Sequence, residues 1–125
     1  MTEEKLIIEN TLIDAERREY ERYSANVYLC VYDPLTDDLL GHVIDISIGG
    51  IKLLHKELIP VGQSMPIRME AALENGLRET IELTATAMWT GTDENADSYN
   101  TGFKFLALSL PAQQSLQNII AELSG

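Results

Sequence analysis

The chain has 125 residues and a formal net charge of −11, from 20 acidic and 9 basic side chains; hydrophobic residues make up 45% of it. This length and composition indicate one globular domain with a core of its own. The acidic balance disfavours general binding to DNA or RNA, because many lysines and arginines are needed to hold a phosphate backbone. No apolar run approaches the ~18 residues of a membrane helix, so we predict no membrane insertion.

Cys30 is the single cysteine of the chain and stands in an apolar alternating run, which predicts a buried thiol. One cysteine cannot form an internal disulfide, and no signal-peptide pattern is present at the N-terminus. Both features indicate a cytoplasmic protein.

Residues 1–15 differ in character from the rest of the chain. They are polar and acidic, with apolar pairs at Leu6 and Ile7 and at Leu12 and Ile13. This pattern predicts an N-terminal arm or a short amphipathic helix, ahead of a domain that spans residues 16–125.

Strand signals dominate the middle of the chain, where apolar residues alternate with polar ones or form short runs bounded by turns. The predicted strands cover residues 26–32, 40–47, 51–55, 65–72, 77–89 and 99–106. Asn75 and Gly76 form a hairpin signal between the fourth and fifth strands. Six short strands in succession predict an all-β fold, an antiparallel barrel or sandwich.

The C-terminal segment has the period of a helix. Ser109 can cap it, and Pro111 falls in the first turn, where a missing N–H is tolerated. The apolar residues that share one helical face are Leu116, Ile119, Ile120 and Leu123. We expect this face to pack on the barrel.

Arginines are concentrated at the start of the domain, where Arg17, Arg18 and Arg22 are three of the five in the chain. Arginine is planar, permanently charged and able to make paired hydrogen bonds to phosphate or to the guanine O6 and N7 edge. Arg18 and Arg22 share a face in a helical turn and also in an extended arm. The alternative is a solvated linker in which neighbouring glutamates pair with the arginines.

Polar and small residues end the second predicted strand, in the segment 45–50. Period two places Asp45 and Ser47 on one face of the strand and the isoleucines at positions 44, 46 and 48 on the other. Asp45 accepts hydrogen bonds, and Ser47 both donates and accepts. Gly49 and Gly50 permit positive φ and the close approach of a ligand. The alternative is a polar strand end that enters a tight glycine turn.

The arrangement Arg18-x-x-x-Arg22, followed about twenty residues later by Asp45-x-Ser47-x-x-Gly50, resembles the PilZ family. Residues 16–18 are similar to the opening segment of the family, residues 50–53 to the strand after its serine-glycine turn, and residues 99–105 to its late Gly-x-x-Phe strand. The resemblance covers residues 16–123. It implies a six-stranded antiparallel PilZ-like β-barrel with a C-terminal helix. It also implies a bacterial, non-enzymatic receptor for the second messenger cyclic di-GMP.

The resemblance also implies roles for the residues of the two motifs. Arg18 and Arg22 would hold phosphate and the guanine edges, and Arg17 would stack or add contacts, which is compatible with two stacked ligands. Asp45 and Ser47 would bind a guanine. The residues that would shape the turn beneath the base are Gly49 and Gly50.

These roles require no cofactor. Ligand binding would change the surface that an unidentified protein partner contacts, and either a monomer or a ligand-influenced dimer fits. Two alternatives stay open. One is a ligand-independent PilZ-like adaptor that acts through protein contacts alone. The other is a phosphodiesterase acting on the same nucleotide, which would need a metal cluster or a general base near the phosphates.

Two other kinds of site are disfavoured. Asp93, Asn95 and Asp97 match the first ligand spacings of a calcium loop, but Ser98 replaces the glycine that such a loop requires. We therefore predict no metal site.

A catalytic triad of Ser47, His42 and Asp45 is disfavoured because strand alternation puts His42 on the opposite face from the other two. Trp89 ends an apolar strand and is interpreted as core or rim packing rather than as a platform for a stacked base.

Overall fold

The computed structural model describes residues 23–24, 28–74, 76, 78–92 and 97–124. The strands are β1 (Tyr23–Ser24), β2 (Tyr28–Tyr32), β3 (Leu39–Ile46), β4 (Gly50–His55), β5 (Ser64–Ala72), β6 (Arg78–Thr92) and β7 (Tyr99–Phe105), followed by helix α1 (Leu110–Ser124). The arm predicted over residues 1–15 and the three clustered arginines lie outside the described residues.

The strands close into a barrel. Neighbouring strands are all antiparallel and follow the order β1-β3-β2-β5-β6-β7-β4, and a further pairing of β3 with β4 joins the two sides of the sheet. Six strands, β2 to β7, therefore form the closed ring. The two-residue β1 pairs with the end of β3 beside it. The predicted six-stranded antiparallel barrel is confirmed.

The barrel interior is filled by the apolar residues that alternate along the strands. Ile81, Ala85 and Ala87 of β6 point inward and are buried, as period two predicts. The largest fully buried apolar side chains are Ile46, Leu53, Ile67, Met69, Ile81 and Ile119. The buried Cys30 agrees with the prediction.

Helix α1 begins at a serine cap, where the Ala112 N–H donates to Ser109 Oγ at 3.2 Å. Its buried residues, Ala112, Leu116 and Ile119, belong to the same core cluster as the barrel interior. The predicted helical face is confirmed. Over the ranges described, no helix is long and apolar enough to cross a membrane.

One predicted feature of β3 is wrong, because a β-bulge interrupts its alternation. Val43 pairs with Leu53 and Asp45 with Lys52, so Ile44 is one residue extra. Ile44 is 36% exposed and Ile46 fully buried, and the isoleucines of this segment do not share a face. The bulge also leaves the exposed His42 on the outer face with Asp45, whereas alternation predicts opposite faces.

A buried polar cluster lies at the end of β4 that is remote from Gly50. His55 Nδ1 is 2.7 Å from the carbonyl oxygen of Glu57, and Nε2 is 2.6 Å from Thr101 Oγ1. A carbonyl can only accept, so Nδ1 carries a proton, and in the neutral ring Nε2 accepts from the Thr101 hydroxyl. Thr90 Oγ1 extends the cluster, 2.9 Å from Thr101 Oγ1. Burial penalises the charged ring and therefore favours neutral His55.

Acidification is expected to destabilise the barrel through His55. Burial lowers the pKa of this imidazole below its usual value of 6.5, which outweighs the backbone contact at Glu57. The unfolded chain therefore binds a proton first as the pH falls through 6.5. The free energy of unfolding should decrease with a slope of up to about 1.4 kcal/mol per pH unit until the folded-state pKa is reached.

Urea unfolding between pH 8 and pH 5 measures this effect. His55→Gln should lose the component of the slope that begins near pH 6.5. His42→Gln is the matched control, because His42 is the other histidine and is exposed, and it should keep that component. Equal pH profiles for the two variants would contradict the role given to His55.

Candidate functional site

Ser47 begins the tight turn between β3 and β4, and we call residues 47–50 the motif turn. The Ser47 N–H donates to the Gly50 carbonyl at 2.9 Å, and the Gly49 N–H donates to Ser47 Oγ at 3.1 Å. Ser47 is only 4% exposed, and these bonds fix its side chain. Its hydroxyl oxygen accepts within the turn, and its hydrogen can still be donated to a ligand.

The glycines of the motif turn allow strand β7 to approach closely. The Gly49 carbonyl accepts from the Phe105 N–H at 2.9 Å, and a Cβ on Gly50 would overlap the Phe103 carbonyl oxygen. Gly50 does not have a positive φ, so it does not use the left-handed conformation that a glycine permits. Its small size is required instead by the backbone of β7.

Asp45 lies on the outer face of the barrel, half-buried and one strand residue before the turn. It pairs with Ser24 of β1 on one side and with Lys52 of β4 on the other. Ser47 is the first residue of the motif turn that follows β3, and Gly50 is the last. The structure thus brings Asp45, Ser47 and both glycines of the motif together where β3 passes into β4, with Asp45 half-buried and Ser47 buried.

A row of residues continues from Asp45 across the outer face. Lys52 pairs with Gly102 of β7, and Gly102 pairs with Trp89 of β6. A Cβ on Gly102 would overlap the indole ring, so the glycine lets Trp89 lie directly on the strand. The Lys52 ammonium is 5.9 Å from the centre of the Trp89 ring. The row therefore presents a carboxylate, an ammonium and a half-buried indole.

A second lysine stands beside this row. Lys104 is opposite Gly50, just as Lys52 is opposite Gly102, so the two lysines lie on a diagonal with the two glycines between them. Both ammonium groups belong to a strongly acidic chain. This face therefore carries two of the basic side chains of an acidic chain, with the Asp45 carboxylate in the same row.

Trp89 reaches the outer face through a second bulge. Ala87 pairs with Phe103 and Trp89 with Gly102, which makes Met88 the extra residue. Trp89 is consequently not a core residue. It packs half-buried at the barrel surface, as the rim alternative predicted, with the Lys52 ammonium beside its ring.

A cavity of about 700 Å³ lies at the opposite end of β4 and contains none of the predicted site residues. Its lining includes His42 and His55, and its acidic side chains are Asp33, Asp38 and Glu57. Carboxylates disfavour an anionic ligand in this cavity. The motif turn and the row that starts at Asp45 are therefore the better candidate for an anion-binding site. Within the described ranges, no three or more His, Cys, Asp or Glu side chains converge in a group that could hold a metal ion.

Arg17, Arg18 and Arg22 are outside the described residues, but the chain that carries them joins the barrel beside the motif turn. Tyr23 pairs with Ile46, the last residue of β3. Arg22 is covalently bonded to Tyr23, so their Cα atoms are about 3.8 Å apart. The strand that follows the arginine segment in the sequence therefore begins beside the motif turn.

Sequence reasoning gave no role to Lys52 or Gly102 of this face, and it interpreted Trp89 as core or rim packing. Lys52 and Gly102 lie in the two segments that resemble the family, which is the only signal that could have drawn attention to them. Their proximity depends on the pairing of β4 with β7, between residues about fifty positions apart.

A closed six-stranded antiparallel barrel, with a C-terminal helix and a serine-glycine turn between β3 and β4, defines a small all-β domain. The profile of the PilZ domain matches residues 16–122. The chain belongs to the PilZ domain family.

Solved structures show the same fold. The PilZ domain of YcgR from Escherichia coli with c-di-GMP is 23% identical, with a TM-score of 0.61 over 86% of this chain and 92% of that chain. The c-di-GMP complex of MrkH from K. pneumonia is 19% identical, with a TM-score of 0.67 over 86% of this chain and 52% of that one.

The inhibitor of motility MotI/DgrA of Bacillus subtilis is 23% identical, with a TM-score of 0.62 over 84% of this chain and 50% of that one. The chain thus spans about half the length of MrkH and of MotI. No curated protein matches the sequence.

Proposed function

We propose that this chain is a receptor for cyclic di-GMP. The observation that carries the proposal is the motif turn, whose buried and hydrogen-bonded Ser47 lies beside Asp45 where the arginine segment joins the barrel. The YcgR and MrkH structures with c-di-GMP, which share this fold, support the choice of ligand.

The chemistry of the ligand suits the residues. The N1–H and N2–H groups of guanine donate hydrogen bonds, and a carboxylate such as Asp45 can accept them. The Ser47 hydroxyl can donate a hydrogen bond to a neighbouring acceptor of the ligand. The guanine N7 and O6 atoms and the phosphates accept from arginine. Arg18 and Arg22 clamp the ligand onto the motif turn. Arg17 adds a contact that permits a second, stacked ligand.

Lys52 and Trp89 extend this site along the outer face. The ammonium adds positive charge for the phosphates, and the indole offers a flat surface on which a base can stack. Lys52 follows Asp45 in the row and its ammonium is 5.9 Å from the centre of the Trp89 ring, so one bound nucleotide can reach both Lys52 and Trp89.

Trp89→Ala is expected to weaken cyclic di-GMP binding roughly tenfold, because a stacked base is worth about 1–3 kcal/mol. Trp89 is the single tryptophan of the chain, so the ligand should also quench its fluorescence in a saturable way. Trp89→Phe keeps an aromatic ring and should keep most of the affinity. If saturating ligand left the Trp89 fluorescence unchanged, the base would not stack on Trp89.

The protein acts without chemical turnover in this proposal. Binding draws the arginine segment against the barrel, and a protein partner recognises the changed surface. The domain itself extends from residue 16, and residues 1–15 form an arm outside it. The single, buried cysteine is consistent with action in the cytoplasm.

Titration calorimetry of the purified chain with cyclic di-GMP tests the proposal. Saturable heat at micromolar concentration or below supports a receptor, and the stoichiometry distinguishes one ligand from two. Chromatography with light scattering, with and without ligand, reports whether binding produces a dimer. Absence of both heat and thermal stabilisation would instead favour the ligand-independent adaptor. Loss of the nucleotide on long incubation would indicate a phosphodiesterase.

A further inference from the structure

An apolar groove of about 290 Å³ lies between the motif turn and the start of α1. Its lining residues are Ile48, Leu108, Gln113, Leu116 and Gln117. Leu116 is buried, whereas Ile48 is 53% exposed although it is part of the motif turn. The groove therefore connects the hydrophobic core with an exposed isoleucine next to the proposed ligand site.

Both walls of the groove are held in place by hydrogen bonds. Ile48 stands between Ser47 and Gly49, whose bonds within the motif turn and to β7 fix the backbone. On the other wall, the Leu108 carbonyl accepts from Gln113 Nε2 at 3.1 Å. A groove with fixed walls can receive an apolar side chain without ordering its own backbone.

The register of β1 directs the preceding chain towards this groove. Tyr23 pairs with Ile46 and Ser24 with Asp45 in antiparallel fashion, so the chain before Tyr23 leaves in the direction of Ser47 and Ile48. Helix α1, which forms the other side of the groove, also contacts β1. Twenty-two residues precede Tyr23 in the sequence, and they join the barrel at this point.

We propose that Leu12 and Ile13 dock in this groove. Ten positions separate Ile13 from Tyr23, and ten residues span up to about 33 Å, which is ample for a groove that starts beside β1. Leu6 and Ile7 form the other apolar pair of the segment. Their tether is longer, which lowers their effective concentration at the groove.

Docking would hold residues 14–22 at both ends, by the apolar pair at one end and by β1 at the other. Arg17, Arg18 and Arg22 all lie in this stretch. One attachment point, the groove, is lined by Ile48 of the motif turn, and the other, Tyr23, pairs with Ile46 just before that turn, so docking would hold the arginines close to the turn before ligand arrives. This consequence for binding rests on the proposed function, whereas the docking itself does not.

Disulfide trapping without ligand tests the docking. Asp14→Cys is combined with Gln117→Cys, because Gln117 is exposed and lines the groove, and this pair leaves Leu12, Ile13 and Ile48 intact. Mild oxidation should give a cross-linked monomer, since a disulfide requires Cα atoms within about 7 Å. Adding Leu12→Ser with Ile13→Ser should slow cross-linking at least tenfold.

The matched control adds Leu6→Ser with Ile7→Ser to the same cysteine pair and should leave the cross-linking rate unchanged. Cross-linked dimers would assign the groove to a second copy of the chain. Equal rates for all variants, or no cross-link, would show that the segment does not dock. Each of these three results overturns the proposal.

Ligand titration separates this proposal from the receptor function. Leu12→Ser with Ile13→Ser is expected to weaken cyclic di-GMP binding about tenfold, through loss of the positioned arginine segment. If the cross-link forms but the nucleotide does not bind, the docking stands and the receptor proposal fails. If the nucleotide binds but the cross-link does not form, the docking alone fails.

Discussion

Replacing Arg18 and Arg22 together with alanine is expected to weaken cyclic di-GMP binding by roughly a hundred- to ten-thousandfold. Each charge-assisted contact contributes about 1.5–3 kcal/mol, which corresponds to about ten- to a hundredfold per arginine. Because the ligand carries two negative charges and the chain is strongly acidic, the loss of two permanent positive charges next to the ligand is expected to be costly. Titration calorimetry should show no saturable heat at the concentrations that saturate the parent chain.

This loss of affinity must be distinguished from an effect of overall charge, because removing two arginines makes the net charge of −11 more negative by two units. Lys56→Ala with Arg78→Ala makes the same change at two exposed positions away from the motif turn. This control should bind within about threefold of the parent chain, because salt screens charges that lie beyond about 8 Å. Equal losses in the two double variants would mean that only overall charge matters.

Gly50→Ala is expected to destabilise the barrel by about 3 kcal/mol, the upper part of the range for overpacking. The added methyl group would overlap the Phe103 carbonyl oxygen, which belongs to the backbone of β7 and cannot rotate away. The strands β4 and β7 would have to separate at this point. Urea unfolding measures the change in the free energy of unfolding.

Gly91→Ala is the matched control, because Gly91 is also a strand glycine but a Cβ there meets nothing within 4 Å. Its effect should stay within about 0.5 kcal/mol. A Gly50→Ala variant that is as stable as Gly91→Ala but binds ligand poorly would indicate that Gly50 serves ligand approach alone. A variant that is unstable supports the structural role that we assign to it.

The strands and the helix could be predicted because each has a local signal. Period-two burial in β6 and the serine cap of α1 appear as the sequence predicts them. The short β1 was missed because two residues contain no periodicity, and β6 extends three residues beyond its predicted end at Trp89. Such differences at element ends reflect tertiary pairing, which no local pattern encodes.

The two bulges show most clearly what local reasoning could not provide. One extra residue, Ile44 in β3 and Met88 in β6, reverses the faces of the residues that follow. Strict alternation therefore misassigns His42 relative to Asp45, and it cannot show that Trp89 points outward. A bulge is stabilised by the twist and closure of the whole barrel rather than by the residue that forms it.

The sequence by itself determined the six strands, the capped helix, the motif residues from Asp45 to Gly50 and the resemblance to the PilZ family. These depend on periodicity, turn chemistry and short spacings, which are all local. Only the tertiary structure decided that Lys52, Gly102 and Trp89 continue the row from Asp45, and that Gly50 is small because β7 lies against it. The physical reason is that barrel closure pairs β4 with β7 across a long stretch of chain, and such contacts exist only in the folded sheet.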